Sequence, residues 1–290
     1  MTEPELIAID LTDDERDFMQ TALTEFGGTA SYRPFPIKIL GVSTDDEFEE
    51  LLVRLRGAIA RKYALSELDW ARAQLLTEMC WGSFTIGSGF DFTYSYRDEQ
   101  AAPFMRSIQR KLRRHPLGRA LFPDYGGRRS YAQNQAPELT TEPELIEIDL
   151  PDDERQFMRT AITEFGGTAS NKPFPIKILG VSTADEFDDL LVRLRIAIER
   201  GEALSALDWA RALLLTEICW ASDMIGSGTA FTQSYPDKQA APLMRVIQRR
   251  LRRYPLARTL FPDNGGRRTY AEVEAMKRQR EAQGKSSNCS

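Results

Sequence analysis

The sequence predicts a mainly α-helical fold, arranged as two homologous tandem domains of four or five helices each. The first observation is an internal repeat: a shift of 139 residues aligns 2–133 with 141–272 without a gap, and only 34 of the 132 aligned positions differ. The second is a series of capped, amphipathic segments in each repeat. The third is the scarcity of strand patterns. With one or two short strands per repeat, an α+β fold is the alternative.

The repeat sets the expected domain boundaries. We expect a first domain over residues 1–132, a linker over 133–140, a second domain over 141–271, and a frayed helix with a disordered tail over 272–290. A period this long is typical of a duplicated domain and not of a solenoid. Because one chain can satisfy a self-complementary patch internally, we expect a monomer with a pseudo-twofold arrangement of the repeats.

The first elements of each repeat follow from local patterns. Residues 6–11 are a short strand or an extended lead-in. Thr12 with Glu15 predicts a capping box for a first helix, which ends at two glycines. Two prolines then exclude a helix, and residues 37–42 are predicted as a strand or a buried extended segment.

Two more helices start at capping residues. Thr44 with Glu47 predicts the start of a second helix, and Ser66 with Asp69 predicts the start of a third. Each is followed by apolar side chains at helical spacing.

The second half of the repeat combines a loop with a last long helix. Residues 82–96 are predicted as a loop rich in aromatic side chains, with a positive-φ turn around Ser88. Asp98 is expected to cap a fourth helix that ends at Pro116.

The composition bounds the class of protein. With 42% hydrophobic and 28% charged residues, the chain resembles soluble globular proteins. It has no apolar run near the roughly 20 residues that span a bilayer, and its acidic start lacks a secretory signal. Cys80, Cys219 and Cys289 are too few and too dispersed for a disulfide framework or a zinc site. We therefore expect a cytoplasmic protein without membrane contact, metal or cofactor.

Charge is distributed unevenly along each repeat. Residues 1–96 hold 8 basic and 17 acidic side chains, whereas residues 97–131 hold 9 basic and 3 acidic ones. A helical projection places three arginines of the fourth helix opposite its apolar face. They and their counterparts in the second repeat are Arg106, Arg110, Arg113, Arg245, Arg249 and Arg252. This face is either solvated, paired with acidic helices of either repeat, or a binding surface for an anionic partner.

Two carboxylates lie among apolar neighbours in each repeat. They are Glu25 and Glu78, with counterparts Glu164 and Glu217. A buried carboxylate needs a partner, and Arg54, Arg56, Arg72 or free backbone amides are the expected ones. If Glu25 and Glu78 faced one cleft, they would form an acid/base pair, which is the enzymatic alternative. The single histidine, His115, is replaced by tyrosine in the second repeat, which argues against histidine catalysis.

Aromatic residues around the predicted loop are candidates for a small-molecule pocket at residues 82–96. They are Trp81, Phe92 and Tyr96, with counterparts Trp220, Phe231 and Tyr235. For the tryptophans, burial in the core is the competing interpretation. Nucleic acid is an unexpected partner, because the chain is acidic overall and lacks a known nucleic-acid motif.

One stretch resembles a short, largely uncharacterised bacterial domain. The residues that carry the likeness are ALTEFGG at 22–28, Phe35, LGVS at 40–43 and EFEELLVRL at 47–55, about 35 residues of each repeat. In that group a helix leads through an extended segment to a second helix, and such proteins look like immunity or toxin-neutralising partners. The resemblance implies no catalytic residues.

These patterns together lead to three expectations for function. We expect a non-catalytic protein-binding module of immunity or antitoxin type that neutralises a toxin or effector. The alternatives are a small-molecule-binding or resistance protein using the loop pocket, and an enzyme using Glu25 and Glu78.

Overall fold

A computed structural model describes residues 5–128, 144–269, 271–276 and 278–279. In the first repeat the elements are β1 (Leu6–Ile7), α1 (Asp13–Glu25), α2 (Asp45–Ala60), β2 (Leu65–Ser66), α3 (Glu67–Gly82), α4 (Asp98–Leu112) and α5 (Leu117–Leu121). In the second they are β3 (Leu145–Ile146), α6 (Asp152–Glu164), α7 (Ala184–Arg200), β4 (Leu204–Ser205), α8 (Ala206–Ala221), α9 (Asp237–Leu251) and α10 (Leu256–Leu260). The predicted mainly helical class is confirmed. The predicted linker and most of the tail lie outside the described residues, although 271–276 and 278–279 are helical.

The strands are short and local. β1 pairs antiparallel with β2, with Ile7 opposite Leu65, and β3 pairs with β4 in the same register. The indole nitrogen of Trp70 donates to the carbonyl of Ile7 at 2.9 Å, which ties the start of the chain to α3. Trp209 makes the same bond to Ile146.

The helix starts follow the predicted caps in three of four cases. Thr12 and Glu15 form the reciprocal capping box of α1. Thr44 caps α2 and Ser66 caps α3 through their hydroxyl oxygens. The prediction for Asp98 is wrong: Arg97 occupies the cap position of α4 without a side-chain bond. Asp98 lies in the first turn, and its carboxylate accepts hydrogen bonds from Trp81 and Arg245.

Two other predictions about local structure are wrong. Ile37–Leu40 is a 3-10 helix and not a strand. In a 3-10 helix side chains three apart point the same way, so Ile37 and Leu40 are both buried. The fourth helix ends at Leu112, and Pro116 instead precedes the short helix α5.

The hydrophobic core is continuous through both repeats. One cluster of buried side chains runs from Ile9 to Phe261 and includes residues of every long helix. The third helix of each repeat lies at its centre, since α3 is buried almost all round and packs against α8. The two repeats therefore share their interior.

The end of each repeat packs on the other repeat. Arg267 donates to the carbonyls of Phe26 and Ala30, both at 2.9 Å, at the end of α1. Arg128 makes the equivalent bonds to Phe165 and Ala169 at 2.7 Å, at the end of α6. These arginines add donors at and just beyond the helix ends, where the Ala30 and Ala169 carbonyls also accept from the amides of Arg33 and Lys172.

Candidate functional site

The candidate carboxylate Glu78 lies in α3, fully buried, and reaches into the second repeat. Ser222 Oγ donates to its Oε2 at 2.5 Å, and the Asp223 amide donates to its Oε1 at 3.0 Å. Gln74 and Gln109 complete the set, each with Nε2 at 2.9 Å from Oε1. The prediction of backbone amide partners is confirmed for Glu78.

Glu217 mirrors this arrangement from α8. Ser83 Oγ donates to its Oε2 at 2.6 Å, the Phe84 amide to its Oε1 at 2.8 Å, and Gln248 Nε2 to Oε1 at 2.9 Å. The arginines expected as the other possible partners of Glu25 and Glu78 bind elsewhere. Arg54 and Arg72 both bind Asp69, and Arg56 donates to the Thr24 hydroxyl at 3.4 Å.

Burial raises the pKa of both carboxyls above the ordinary glutamate value, and the hydrogen bonds they accept oppose that rise in part. Each carboxyl thus joins the two repeats from a buried position, and neighbouring groups lie within hydrogen-bond distance of it. Neither carboxyl is accessible to solvent.

Trp81 and Trp220 meet at the centre of the same interface. Their ring centroids are 4.3 Å apart at an angle of 47°, and both side chains are fully buried. Trp81 Nε1 donates to Asp98 at 3.3 Å, and Trp220 Nε1 donates to Asp237 at 3.2 Å. The expectation that the tryptophans belong to the core is confirmed.

Two of the candidate arginines are also buried between the repeats. Arg106 donates through Nε and Nη2 to Asp237, at 3.0 and 2.8 Å, and to the Trp220 carbonyl at 3.0 Å. Arg245 makes the equivalent pair with Asp98. The expectation that the basic helix pairs with the other repeat is confirmed for these two, whose guanidinium groups bind within the molecule.

The other four candidate arginines are exposed and dispersed. Arg113 pairs with Asp223 of the second repeat at 2.6 Å. Arg249 and Arg252 have their guanidinium carbons 5.8 and 5.4 Å from the Phe90 ring centroid. Arg110 is exposed. The six arginines therefore do not form one continuous face.

The aromatic candidates near the loop belong mostly to the core of each repeat. Phe92 and Tyr96 contact Phe18 edge-on, at 5.5 and 5.2 Å between ring centroids. Phe231 and Tyr235 contact Phe157 in the same way, at 5.5 and 5.0 Å. Tyr96 also donates to Asp17, and burial with this neighbouring carboxylate raises the pKa of Tyr96 to about 12.

The loop is anchored by a hydroxyl chain that begins at Glu25. The Glu25 carboxylate accepts from Thr29 and from Ser95, and the Thr29 hydroxyl lies 2.7 Å from the buried Ser88 hydroxyl. Gly89 has the predicted positive φ, at 55°. Glu25 thus fastens the loop to the end of α1. Within the described part of the chain, Glu25 and Glu78 have separate sets of hydrogen-bond partners.

Comparison with known proteins yields no relative: no protein-family model, curated protein or solved structure matches the chain. Function must therefore be inferred from the molecule itself.

Three further findings apply to the described part of the chain. There, no three His, Cys, Asp or Glu side chains are grouped to hold a metal ion. Of the helices in that part, none is both long and apolar enough to cross a bilayer. Cys80 and Cys219 are buried, and burial raises the pKa of both thiols, that of Cys80 to about 12.

An open groove lies where α4 and α9 pass each other. It has a volume of about 770 Å³ and draws residues from both repeats. The apolar residues that line it are Ala102, Pro103, Pro236, Ala241, Pro242 and Val246, and the charged ones are Asp98, Glu99, Asp237, Lys238, Arg245 and Arg249. Of the candidates from the sequence, only Arg245 and Arg249 line this groove.

Sequence reasoning missed several residues that hold the interface together. They are Ser83, Asp98, Gln109, Ser222, Asp237 and Gln248. Each of the six has an identical residue at the equivalent position of the other repeat, but most other positions are identical as well. For Gln109 and Gln248 a polar side chain among apolar neighbours at helical spacing is a signal, as with Gln109 beside Ile108 and Leu112.

Proposed function

We propose that this chain is a non-catalytic protein-binding module of immunity or antitoxin type, acting in the bacterial cytoplasm on a toxin or effector protein. The groove between α4 and α9 carries the proposal. It is open, lies on both repeats and combines an apolar lining with charges of both signs, as the core and rim of a protein-binding site do.

The positions of the reactive carboxyl and thiol groups support the non-catalytic part of the proposal. The buried carboxyls of Glu78 and Glu217 and the thiols of Cys80 and Cys219 all lie within the packed interior. Hydrogen bonds within the molecule occupy both carboxylates. Chemistry on a substrate needs such groups beside open space.

Two prolines each remove a helical N–H donor beside the groove. Pro103 in α4 and Pro242 in α9 have no N–H, so the helices cannot donate to the carbonyls of Glu99 and Lys238 four residues earlier. Both of these residues line the groove. A partner segment with exposed N–H or side-chain donors would supply the missing bonds while covering the apolar lining.

Site-specific photocrosslinking tests the groove as the contact surface. A photoreactive residue replaces Val246, which is 40% exposed in the groove, and a control chain carries it at Val192, which is 49% exposed on α7. From native lysate, we expect one protein to crosslink at position 246 and not at 192. Equal crosslinking at both positions would contradict the proposal.

The captured protein is then purified and its affinity measured. V246D should weaken binding at least about tenfold, since it places a charge against a desolvated apolar contact, while V192D should leave affinity unchanged. Neutralisation is tested by co-expression: the partner should arrest growth alone and not together with this chain. A partner that is harmless alone would remove the immunity assignment and leave the binding assignment standing.

A further inference from the structure

Two clefts lined by equivalent positions of the two repeats lie between the repeats, apart from the α4–α9 groove. In the first cleft, of about 260 Å³, Arg113 and the start of α5 face Lys172 and Asp223 of the second repeat. In the second, of about 420 Å³, Arg252 and the start of α10 face Arg33 and Phe84 of the first repeat. The clefts share their architecture but differ in the residues that line them.

The first cleft contains a carboxylate of its own. Asp223 accepts from Arg113 Nε at 2.9 Å and Nη2 at 2.6 Å, and from the Thr229 hydroxyl at 2.8 Å. The Asp223 side chain is 4% exposed. Burial opposes ionisation, yet the bonds from Arg113 and Thr229 and the charge of Lys172 hold the pKa of Asp223 below its ordinary value. In this cleft Arg113 therefore already binds a carboxylate of the same chain, that of Asp223.

The second cleft has the same arginine without that carboxylate. Phe84 stands in place of Asp223, Phe90 stands in place of Thr229, and their rings stack at 4.5 Å. Among the described residues no carboxylate lies within ion-pair distance of Arg252, whose guanidinium carbon lies 5.4 Å from the Phe90 centroid. The cleft therefore offers a bidentate donor beside an aromatic wall.

A second guanidinium faces the same space. Arg33 lies 3.5 Å above the Phe84 ring and pairs with Asp91 at 3.3 Å. Burial lowers the pKa of Arg33, Asp91 opposes this, and the charge of Arg252 adds to the lowering. The two arginines repel each other across the cleft, and an anion between them would relieve that repulsion.

We propose that the second cleft binds a small carboxylate with an aromatic body. The carboxylate pairs with Arg252, as Asp223 pairs with Arg113 in the first cleft. The ring packs against the apolar lining, which includes Leu213, Leu251 and Tyr254. A volume of about 420 Å³ fits a ligand of two fused rings. The site is independent of the proposed protein partner.

Calorimetric titration of the full chain tests this, with 2-naphthoate as the probe and 2-naphthamide as its neutral analogue. We expect saturable binding of naphthoate at one site and at least about tenfold weaker binding of naphthamide. Inorganic phosphate tests whether negative charge without an aromatic ring is enough for binding, and it should bind more weakly than naphthoate. Absence of naphthoate binding at millimolar concentration, or equal binding of naphthamide or phosphate, would overturn the proposal.

Variants locate the site. R252Q should weaken naphthoate binding at least about tenfold, whereas R253Q, on the exposed neighbouring residue, should not change it. F84D/F90T rebuilds the residues of the first cleft and should abolish binding by supplying an internal carboxylate. Circular dichroism melting checks that each variant folds. If F84D/F90T does not fold, R252Q alone tests the site, because Arg252 is an exposed residue. An unchanged affinity of R252Q for naphthoate would overturn the assignment.

Discussion

Gly82 and Ala221 occupy equivalent positions in the two repeats and face each other where α3 and α8 cross. A Cβ atom built on Gly82 would lie 2.0 Å from the Cβ of Ala221. The space at this crossing accommodates one methyl group. Several hydrogen bonds of the interface occur twice, once in each direction, whereas this contact is asymmetric because the repeats differ there.

This contact predicts strong coupling between the two positions. G82A should destabilise the protein by about 1–3 kcal/mol, because two methyl groups cannot share the site. A221G alone should cost about 1 kcal/mol, from a lost methyl contact and helix propensity. The exchange G82A/A221G should restore nearly normal stability, as measured by urea unfolding. Additive losses in the double variant would show that the two residues do not compete for space.

The buried carboxyls predict a dependence of stability on pH. Because the folded-state pKa of Glu78 and Glu217 lies above the ordinary value of 4.5, their contribution is complete below that pH and is lost as pH rises through the folded-state pKa. The melting temperature should therefore fall less between pH 5 and pH 8 in E78Q/E217Q than in the natural chain. Gln keeps the carbonyl acceptor, and the hydroxyls of Ser83 and Ser222 can rotate to accept from its amide.

Glu15 supplies a control of opposite sign. Burial would raise its pKa, but hydrogen bonds led by those from Lys111 and Ser107 outweigh burial and hold it below 4.5. Its contribution is present above that pH and is lost as pH falls. E15Q should thus lose stability at neutral pH and lose little at acid pH. The same pH slope in E15Q and E78Q/E217Q would contradict both assignments.

Arg267 predicts a large effect for a single truncation. Its side chain is 4% exposed, donates to two carbonyls of the first repeat and lies 3.5 Å from both Asp45 and Glu49, so R267A would remove several buried bonds at once. We expect a loss of about 2 kcal/mol or more in the free energy of unfolding. The adjacent Arg268, with a side chain 27% exposed and ion pairs to Asp45 and Asp46, is the matched control. R268A should cost less than about 1 kcal/mol.

The shared interior predicts a single unfolding event. Since one core cluster includes both repeats, neither can lose its structure without exposing the apolar surface of the other. Differential scanning calorimetry should give one transition with equal calorimetric and van't Hoff enthalpies. Two resolved transitions, or a van't Hoff enthalpy near half the calorimetric one, would indicate repeats that unfold separately.

Local patterns were sufficient to predict most helices, and insufficient for the contacts between repeats. Capping by Thr12, Thr44 and Ser66 depends on residues three positions away, so the sequence contains the whole signal. Two partners of Glu78, Ser222 and Asp223, lie 144 and 145 positions away, and these contacts follow from docking alone. A single sequence holds no direct record of that docking.

The basic helix α4 shows why a helical projection does not reveal that Arg106 is buried. In α4, Ala102, Arg106 and Gln109 recur at helical spacing and are all buried, so this helix has a second buried stripe directed at the other repeat. Because the stripe contains an arginine and a glutamine, hydrophobic periodicity classes it as solvent-facing. The burial becomes evident only when Asp237 is seen opposite Arg106.

The reciprocal ion pairs Arg106–Asp237 and Arg245–Asp98 join halves that belong to one chain. Between separate molecules such an interface would depend on protein concentration and open on dilution. Covalent connection makes the second half a neighbour at an effective concentration of about millimolar, whatever the amount of protein present. The fully assembled form should therefore persist when the protein is scarce, with its grooves and clefts intact at the copy number of a few molecules per cell.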